Sequence, residues 1–244
     1  MMPTPRLSSF VRRLRRDRAG VAMLEFALAA PIVLGIGCWG LELANLAVIN
    51  LRVSQIALNL ADNASRVGTY TTLSTQQLRE VDINDILQGG RYQGQGINLT
   101  ANGRITLSSL ENVAQKYDTA NNGAPVQRIH WQRCIGTRGG TGYDSQYKAN
   151  VSTTAGIDAT QANKGYDLPA GISDGGGATV TAPGGSGLMY VEINYLARPL
   201  FGTWLLAPQR IHYIASFIVR DKRDYSQIFT SPGATPSTCD VYAA

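Results

Sequence analysis

The sequence predicts an α+β chain in which one long N-terminal helix, apolar at first and amphipathic after, packs on an antiparallel sheet of about four strands. Three observations carry this. An apolar run comes directly after a cluster of arginines, apolar residues then recur at helical spacing, and from about residue 97 the pattern changes to period two. With 244 residues, 44% apolar and 16% charged, the chain can bury one domain's core and carry an appendage, which excludes a disordered or collagen-like polymer.

The leader comes first. Residues 1–20 hold Arg6, Arg12, Arg13, Arg15, Arg16 and Arg18 against Asp17, and so supply the whole net charge of +5. From Val21 onward 16 basic residues balance 16 acidic ones. A chain that is neutral apart from a basic tip is not a basic nucleic-acid-binding domain, and no nucleic-acid partner is expected. The adjoining segment explains the tip. Between Arg18 and Arg52 the only charges are Glu25 and Glu42, and Phe26 to Leu41 is uncharged and mostly apolar. With Val21 to Leu24 this makes roughly 20 residues, or about 30 Å of helix, the thickness of a hydrocarbon core.

Arginines directly before such a span stay in the cytoplasm by the positive-inside rule. The expected organisation is a basic cytoplasmic leader at 1–20, a transmembrane helix at 21–44, an amphipathic helical extension at 45–68, and an exported α+β domain at 69–244. A cleaved signal peptide, with Ala27-Leu28-Ala29 as its cleavage site, fits less well, because the apolar run continues past that site and Pro31 lies two residues beyond the cut. Glu25 is the anomaly. A carboxylate in the run costs on the order of 1–3 kcal/mol unless it finds a partner or reaches the interface, so it is a functional candidate.

The string Arg18-Ala19-Gly20-Val21-Ala22-Met23-Leu24-Glu25-Phe26-Ala27-Leu28-Ala29-Ala30-Pro31, then Gly40-Leu41-Glu42-Leu43 and then Gln55 to Arg66, resembles the type IV prepilins. More specifically, it is similar to the TadE-like pseudopilins of the tight-adherence (Flp-type) pilus system. The resemblance covers residues 18–66, about a fifth of the chain. It implies a pilin-like fold and a cut between Gly20 and Val21 by a membrane-embedded aspartic prepilin peptidase on the cytoplasmic face. That cut would remove the entire positive excess.

Glu25 would then pair with a new terminal amine, its own or a neighbouring subunit's. The implied partners are the prepilin peptidase, other pilin or pseudopilin subunits, the assembly machinery and membrane lipid. The implied location is the bacterial inner membrane, single-pass, with the domain periplasmic or carried into an extracellular pilus. Phe26 stands where the short major pilins carry Tyr, which, with the chain's length, favours a minor component. Pro31 and Glu42 match the family pattern as features of the span.

Past the span, Leu46, Ile49, Val53, Ile56, Leu60 and Val67 fall at a and d spacing, with Asn63 breaking the pattern. This stripe fits the domain's own core or a partner helix, and Gly68 ends it. Ser74-Thr75-Gln76-Gln77 reads as a capping box opening a second helix to about Leu87, closed by Gly89-Gly90. Strands with one covered face are expected around Ile105 and Leu107, Ile129 and Trp131, and Met189 to Tyr195, with Ile211 to Val219 as the central strand because it is apolar on both sides. Gly136 to Gly142 and Gly171 to Gly187 read as long surface loops.

Cys38 lies in the span as a small hydrophobe, whereas Cys134 and Cys239 both fall in the exported part and are expected to form a disulfide that ties the C-terminal tail to the domain. Catalysis has little to stand on. His130 and His212 read as structural strand histidines, and His130 with Cys134 does not complete a zinc site. The glycines after Gly136 lack the lysine of a phosphate loop. Asp82 and Asp85 read as a helix surface, and Asp144-Ser145-Gln146 is only a fragment of a metal-binding Asp-x-Ser-x-Ser run. No enzyme activity, cofactor or metal is expected. The competing reading is an uncleaved single-pass anchor displaying a periplasmic binding or adhesive domain, with Tyr143, Tyr147 and the Gly-rich loops as contact surface.

Overall fold

The computed structural model describes residues 12–13, 19–70, 75–173 and 179–244; most of the basic leader, and Ser74, lie outside the described residues. The elements are helix α1 (Ala19–Arg66), strands β1 (Thr69–Tyr70) and β2 (Gln76–Gln77), helix α2 (Glu80–Gln93), the one-turn α3 (Leu99–Asn102), β3 (Gly103–Val113), β4 (Val126–Ile135), β5 (Tyr166–Asp167), β6 (Ile172–Ser173), β7 (Thr179–Val180), β8 (Gly187–Ala197) and β9 (Gln209–Ile218). They group into two compact units, one formed by residues up to Leu46 with Pro199–Ala207, the other by Ala47–Arg198 with Pro208–Ala244.

In the smaller unit α1 is continuous helix with Pro31 in its interior. Proline has no N–H, so the carbonyl of Ala27, one turn back, loses its usual donor. The apolar side chains of this stretch are uncovered: Met23, Phe26, Leu28, Ile32, Val33, Leu34 and Ile36 are all exposed. No part of the most apolar window is buried, although its mean hydropathy is 2.1. A soluble core helix hides such residues, so this helix has the length and composition of a membrane span.

The larger unit is built on a five-stranded antiparallel sheet ordered β5-β4-β3-β8-β9. The four long strands coincide with the four period-two stretches of the sequence, and the fifth, β5, is a two-residue addition at one edge. The central strand is β3, not the expected Ile211 to Val219, which forms edge strand β9. Its double-sided apolarity reflects different partial covers: Ile211 and Ala215 are buried, Ile214 packs against a second cluster, and Ile218 is half exposed.

The expectation of one covered face also fails for β3 and β8, which are buried along nearly their whole length. One face takes the helices, because Gly90 of α2 sits against both Leu60 of α1 and Ile105 of β3. The other face is covered by the long β4–β8 connection, whose Val151, Ala155, Ile172 and Ala182 join Leu110, Ile129, Leu188 and Tyr190 in a cluster. The glycine-rich segment is therefore more than surface loop. It contributes Ile172 to that cluster and pairs β6 with β7.

Within this unit the stripe on α1 is core. Ile49, Val53, Ile56 and Leu60 are buried together with Ala57, Ala61 and Ala64. The helix ends at Arg66, and its open carbonyls at Ala64 and Val67 are taken by the buried Arg223 guanidinium, at 3.1 and 2.6 Å. Gly68 comes next with φ +153 and a virtual Cβ 2.7 Å from Gln76, a spacing only glycine tolerates.

The second helix differs from the sequence reading at both ends. Gln76 and Gln77 are strand, held by backbone bonds to Lys222 and Asp224, and the helix starts at Glu80. Its N-terminal box is Arg79 with Asp82, whose carboxylate accepts the Arg79 amide at 3.0 Å. It runs on through Gly89 and Gly90 to Gln93, because Leu60 and Ile105 need a residue without a side chain at Gly90. Asp82 is accordingly a buried cap rather than a surface residue, while Asp85 is exposed as expected.

Candidate functional site

The sequence-predicted processing and assembly residues, Gly20, Val21, Glu25, Phe26, Pro31 and Glu42, all lie on α1 in the smaller unit. At the N-terminal end Gly20, Val21, Glu25 and Phe26 are exposed, with Val21 48% and Phe26 72% accessible. A Cβ built on Gly20 meets nothing within 4 Å, and its φ is not in the left-handed region. Nothing in the described fold requires a glycine there, so any requirement for it comes from outside the fold. Five residues on, Glu25 projects from apolar surface.

Glu42 behaves differently. It is 1% exposed, and its carboxylate accepts the backbone amides of Leu200, at 2.8 and 3.0 Å, and Phe201, at 3.3 Å. A carboxylate is acceptor-only when ionised, and two amides of one loop satisfy it. The sequence marks Glu42 as a feature of the span and gives it no acceptor role. The signal for that role is the run Pro199-Leu200-Phe201-Gly202-Thr203-Trp204-Leu205-Leu206-Ala207, apolar yet flanked by strands, in a place where a hairpin connection is ordinarily polar.

In the larger unit Cys134 and Cys239 form the expected disulfide, with Cα atoms 4.8 Å apart and a sequence separation of 105. The tail it holds is docked by much more than the bridge. The amides of Cys134 and Gly136 donate to Ser237 and Ala243, each at 2.7 Å. Arg104, wholly buried, donates to the carbonyls of Gly136 at 2.9 Å and Cys239 at 2.5 Å, and its guanidinium lies 4.3 Å from the centre of the Tyr242 ring.

Burial pulls the Arg104 pKa down, against the opposing pull of Asp144, whose Oδ1 is 3.1 Å from Nε. Burial also works against the Asp144 charge, but the Gly140 amide, the Tyr242 hydroxyl and the Lys148 ammonium outweigh it and hold this carboxyl below its usual range. Asp144 of the Asp-Ser-Gln fragment noted in the sequence is thus part of a tail clasp.

Beside the clasp lies an open cleft of about 710 Å³, lined by Asp144, Lys148, Glu192, Asn194, Arg210 and His212 among others. Burial pushes the Glu192 carboxyl up to about 6, partly offset by a hydrogen bond from Ser145. His212 Nε2 is 3.9 Å from the same carboxylate. Among the described residues no group of three or more His, Cys, Asp or Glu is arranged to hold a metal ion.

His130 has partners of its own: Nδ1 lies 3.0 Å from Glu111, and Nε2 lies 3.3 Å from the Tyr117 hydroxyl. Tyr147, expected on a contact surface, is instead tied down. Its hydroxyl accepts the Ser173 amide at 2.8 Å, and its ring packs on the second cluster. Tyr143 is half-buried, with the Arg138 guanidinium 5.8 Å from its ring centre.

No family model, no curated protein and no solved structure matches this chain.

Proposed function

We propose that this chain is a minor pilin or TadE-like pseudopilin that takes part in assembling a tight-adherence, type IV-like pilus. In this reading α1 crosses the bacterial inner membrane once, with residues 1–20 in the cytoplasm and the disulfide-bonded domain in the periplasm. A prepilin peptidase cuts after Gly20, and other pilin or pseudopilin subunits pack on the exposed face of α1. The observation that carries it is a pair: Gly20, which no packing in the described fold demands, and Glu25, an exposed carboxylate placed five residues later on an apolar, uncovered helix.

The chemistry gives each residue a task. A glycine lets a protease approach the backbone closely at the edge of an apolar helix. The cut frees an amine at Val21, and an ammonium beside Glu25 offsets the desolvation of a carboxylate in lipid. When the amine belongs to a neighbouring subunit, this pairing also fixes how far one helix slides along the next. The disulfide supports the export half of the reading, since such bridges persist in oxidising compartments.

The test is the intact mass and N-terminal residue of the protein purified from its own membranes, together with Glu25→Ala. The expected mature chain starts at Val21, and the alanine variant inserts normally but no longer supports piliation. A chain retaining the leader, with piliation unchanged by Glu25→Ala, would point instead to a membrane anchor for a displayed domain.

A further inference from the structure

The segment that joins β8 to β9 combines three properties that rarely meet in a hairpin connection. First, from Pro199 to Gln209 it carries no charge, while Arg198 and Arg210 stand at its two ends. Second, its large apolar side chains are uncovered: Leu200 is 62% and Trp204 75% exposed, with Phe201 exposed beside them. Third, four of its N–H groups are answered by protein, two from α1 and two from within the loop. The Leu200 and Phe201 amides donate to Glu42, the Trp204 indole N–H donates to the Phe201 carbonyl at 2.6 Å, and the Leu205 amide donates to Gly202, where φ of +94 makes the turn. Bare apolar side chains on a backbone whose amides are partly answered by protein suit lipid better than water.

The depth of the loop is set by its partner. Glu42 lies 21 residues beyond Val21, about 31 Å along a helix, which matches the roughly 30 Å hydrocarbon thickness. Glu42 therefore falls where the span leaves the hydrocarbon on its far side, and the hydrogen bonds to Leu200 and Phe201 hold the loop at the same level. Leu41 and Trp39 of the helix are exposed there too. Tryptophan concentrates at this boundary in membrane proteins.

We infer that Pro199–Ala207 is a second membrane attachment, a loop that dips into the far leaflet of the lipid bilayer beside α1 and is held at that depth by Glu42. The inference rests on the reading of α1 as a membrane span. Glu42 is then a positioning residue. A carboxylate at the hydrocarbon margin is kept there by two amides, and in return it orients Leu200, Phe201 and Trp204 toward acyl chains.

The full chain is reconstituted in vesicles of phosphatidylcholine with brominated acyl chains, and tryptophan emission is compared among the native protein, Trp39→Phe and Trp204→Phe; Trp131 is buried and serves as the unquenched reference. Each of the two substitutions should remove about half of the lipid-quenchable emission, as expected for two indoles near one interface. Glu42→Ala should lower the Trp204 share while leaving the Trp39 share intact. If Trp39→Phe abolishes the quenchable emission and Trp204→Phe leaves it unchanged, α1 is in lipid, the loop is not, and the inference is overturned alone. If bromine quenches none of the three proteins, the span reading falls and takes the inference with it. If Trp204 escapes bromine but is shielded from aqueous acrylamide only at high protein-to-lipid ratio, a second copy of the chain covers the loop, which also overturns it.

Discussion

Single residues in this protein show how burial decides what a charge can do. Glu192 is buried in the wall of the cleft, and its carboxyl is pushed up to about 6 because water is withheld from the ionised form. The folded state thus binds this proton more tightly than the unfolded chain does. The stabilisation is fully present below the unfolded carboxyl pKa and is lost as pH rises through about 6. Glu192→Gln should accordingly flatten the stability profile between about pH 4.5 and 6.5, and should raise stability at pH 8 by on the order of 1–2 kcal/mol. Urea titrations at several pH values check this, and a steeper profile in the variant would refute it.

Glu25 could be singled out from the sequence because nothing apolar explains a carboxylate in such a run. Glu192 and Arg104 could not, since their significance depends on neighbours brought in from far along the chain. Arg104 meets Cys239 only through the tertiary fold. A buried arginine in a strand reads, in sequence, as a residue of the wetted face.

Among the elements, the glycine pair of α2 separates local propensity from packing. At Gly89 a Cβ meets nothing, whereas at Gly90 it falls 2.8 Å from Leu60 and 3.1 Å from Ile105. Gly89→Ala should stabilise the domain by about 0.5–1 kcal/mol through lower chain entropy in the unfolded state. Gly90→Ala should come out less stable than Gly89→Ala by about 1–3 kcal/mol, because the buried Leu60 and Ile105 side chains must repack to admit the methyl group. Thermal or urea unfolding of the two variants side by side measures the difference.

The same contact explains why a double glycine, which ordinarily ends a helix, does not end this one. The strands were legible because alternation survives translation into burial: Ile105 and Leu107 face the helices while Thr106 and Ser108 turn away. What alternation could not reveal was that the polar face is covered as well. Its cover is a long connection whose buried apolar residues, Val151, Ala155, Ile172 and Ala182, are scattered without a period. Likewise, the edge position of β9 depends on which strands flank β3, a long-range pairing that no local pattern encodes.

For the molecule as a whole, the tail clasp is the most consequential long-range connection. A bridge between cysteines 105 positions apart is worth about 4–5 kcal/mol in the chain-entropy model. Cys134→Ser with Cys239→Ser should lower the stability of the domain by about 2–5 kcal/mol, read as a lower urea midpoint. An unchanged midpoint would mean that Arg104, Tyr242 and the tail's backbone hydrogen bonds hold it unaided. This bridge was legible from cysteine count and expected compartment alone, whereas the clasp around it was not, since Tyr242 and Asp144 carry no pattern.

The clasp also imposes an order on how the molecule is made. A ribosome delivers Cys134 with β4, and Cys239 only 105 positions later, after the long connection, β8 and β9. Until β8 arrives the central strand has an unpaired edge, and until Cys239 arrives Arg104 lacks a tail carbonyl to donate to and the Cys134 thiol is open to any other thiol it meets. Biogenesis therefore contains an interval in which the newborn domain is both adhesive and chemically reactive. It closes only when Cys239 and its neighbours arrive, so a chain clipped anywhere between the two cysteines is left with a reactive thiol on β4, far in sequence from the cut.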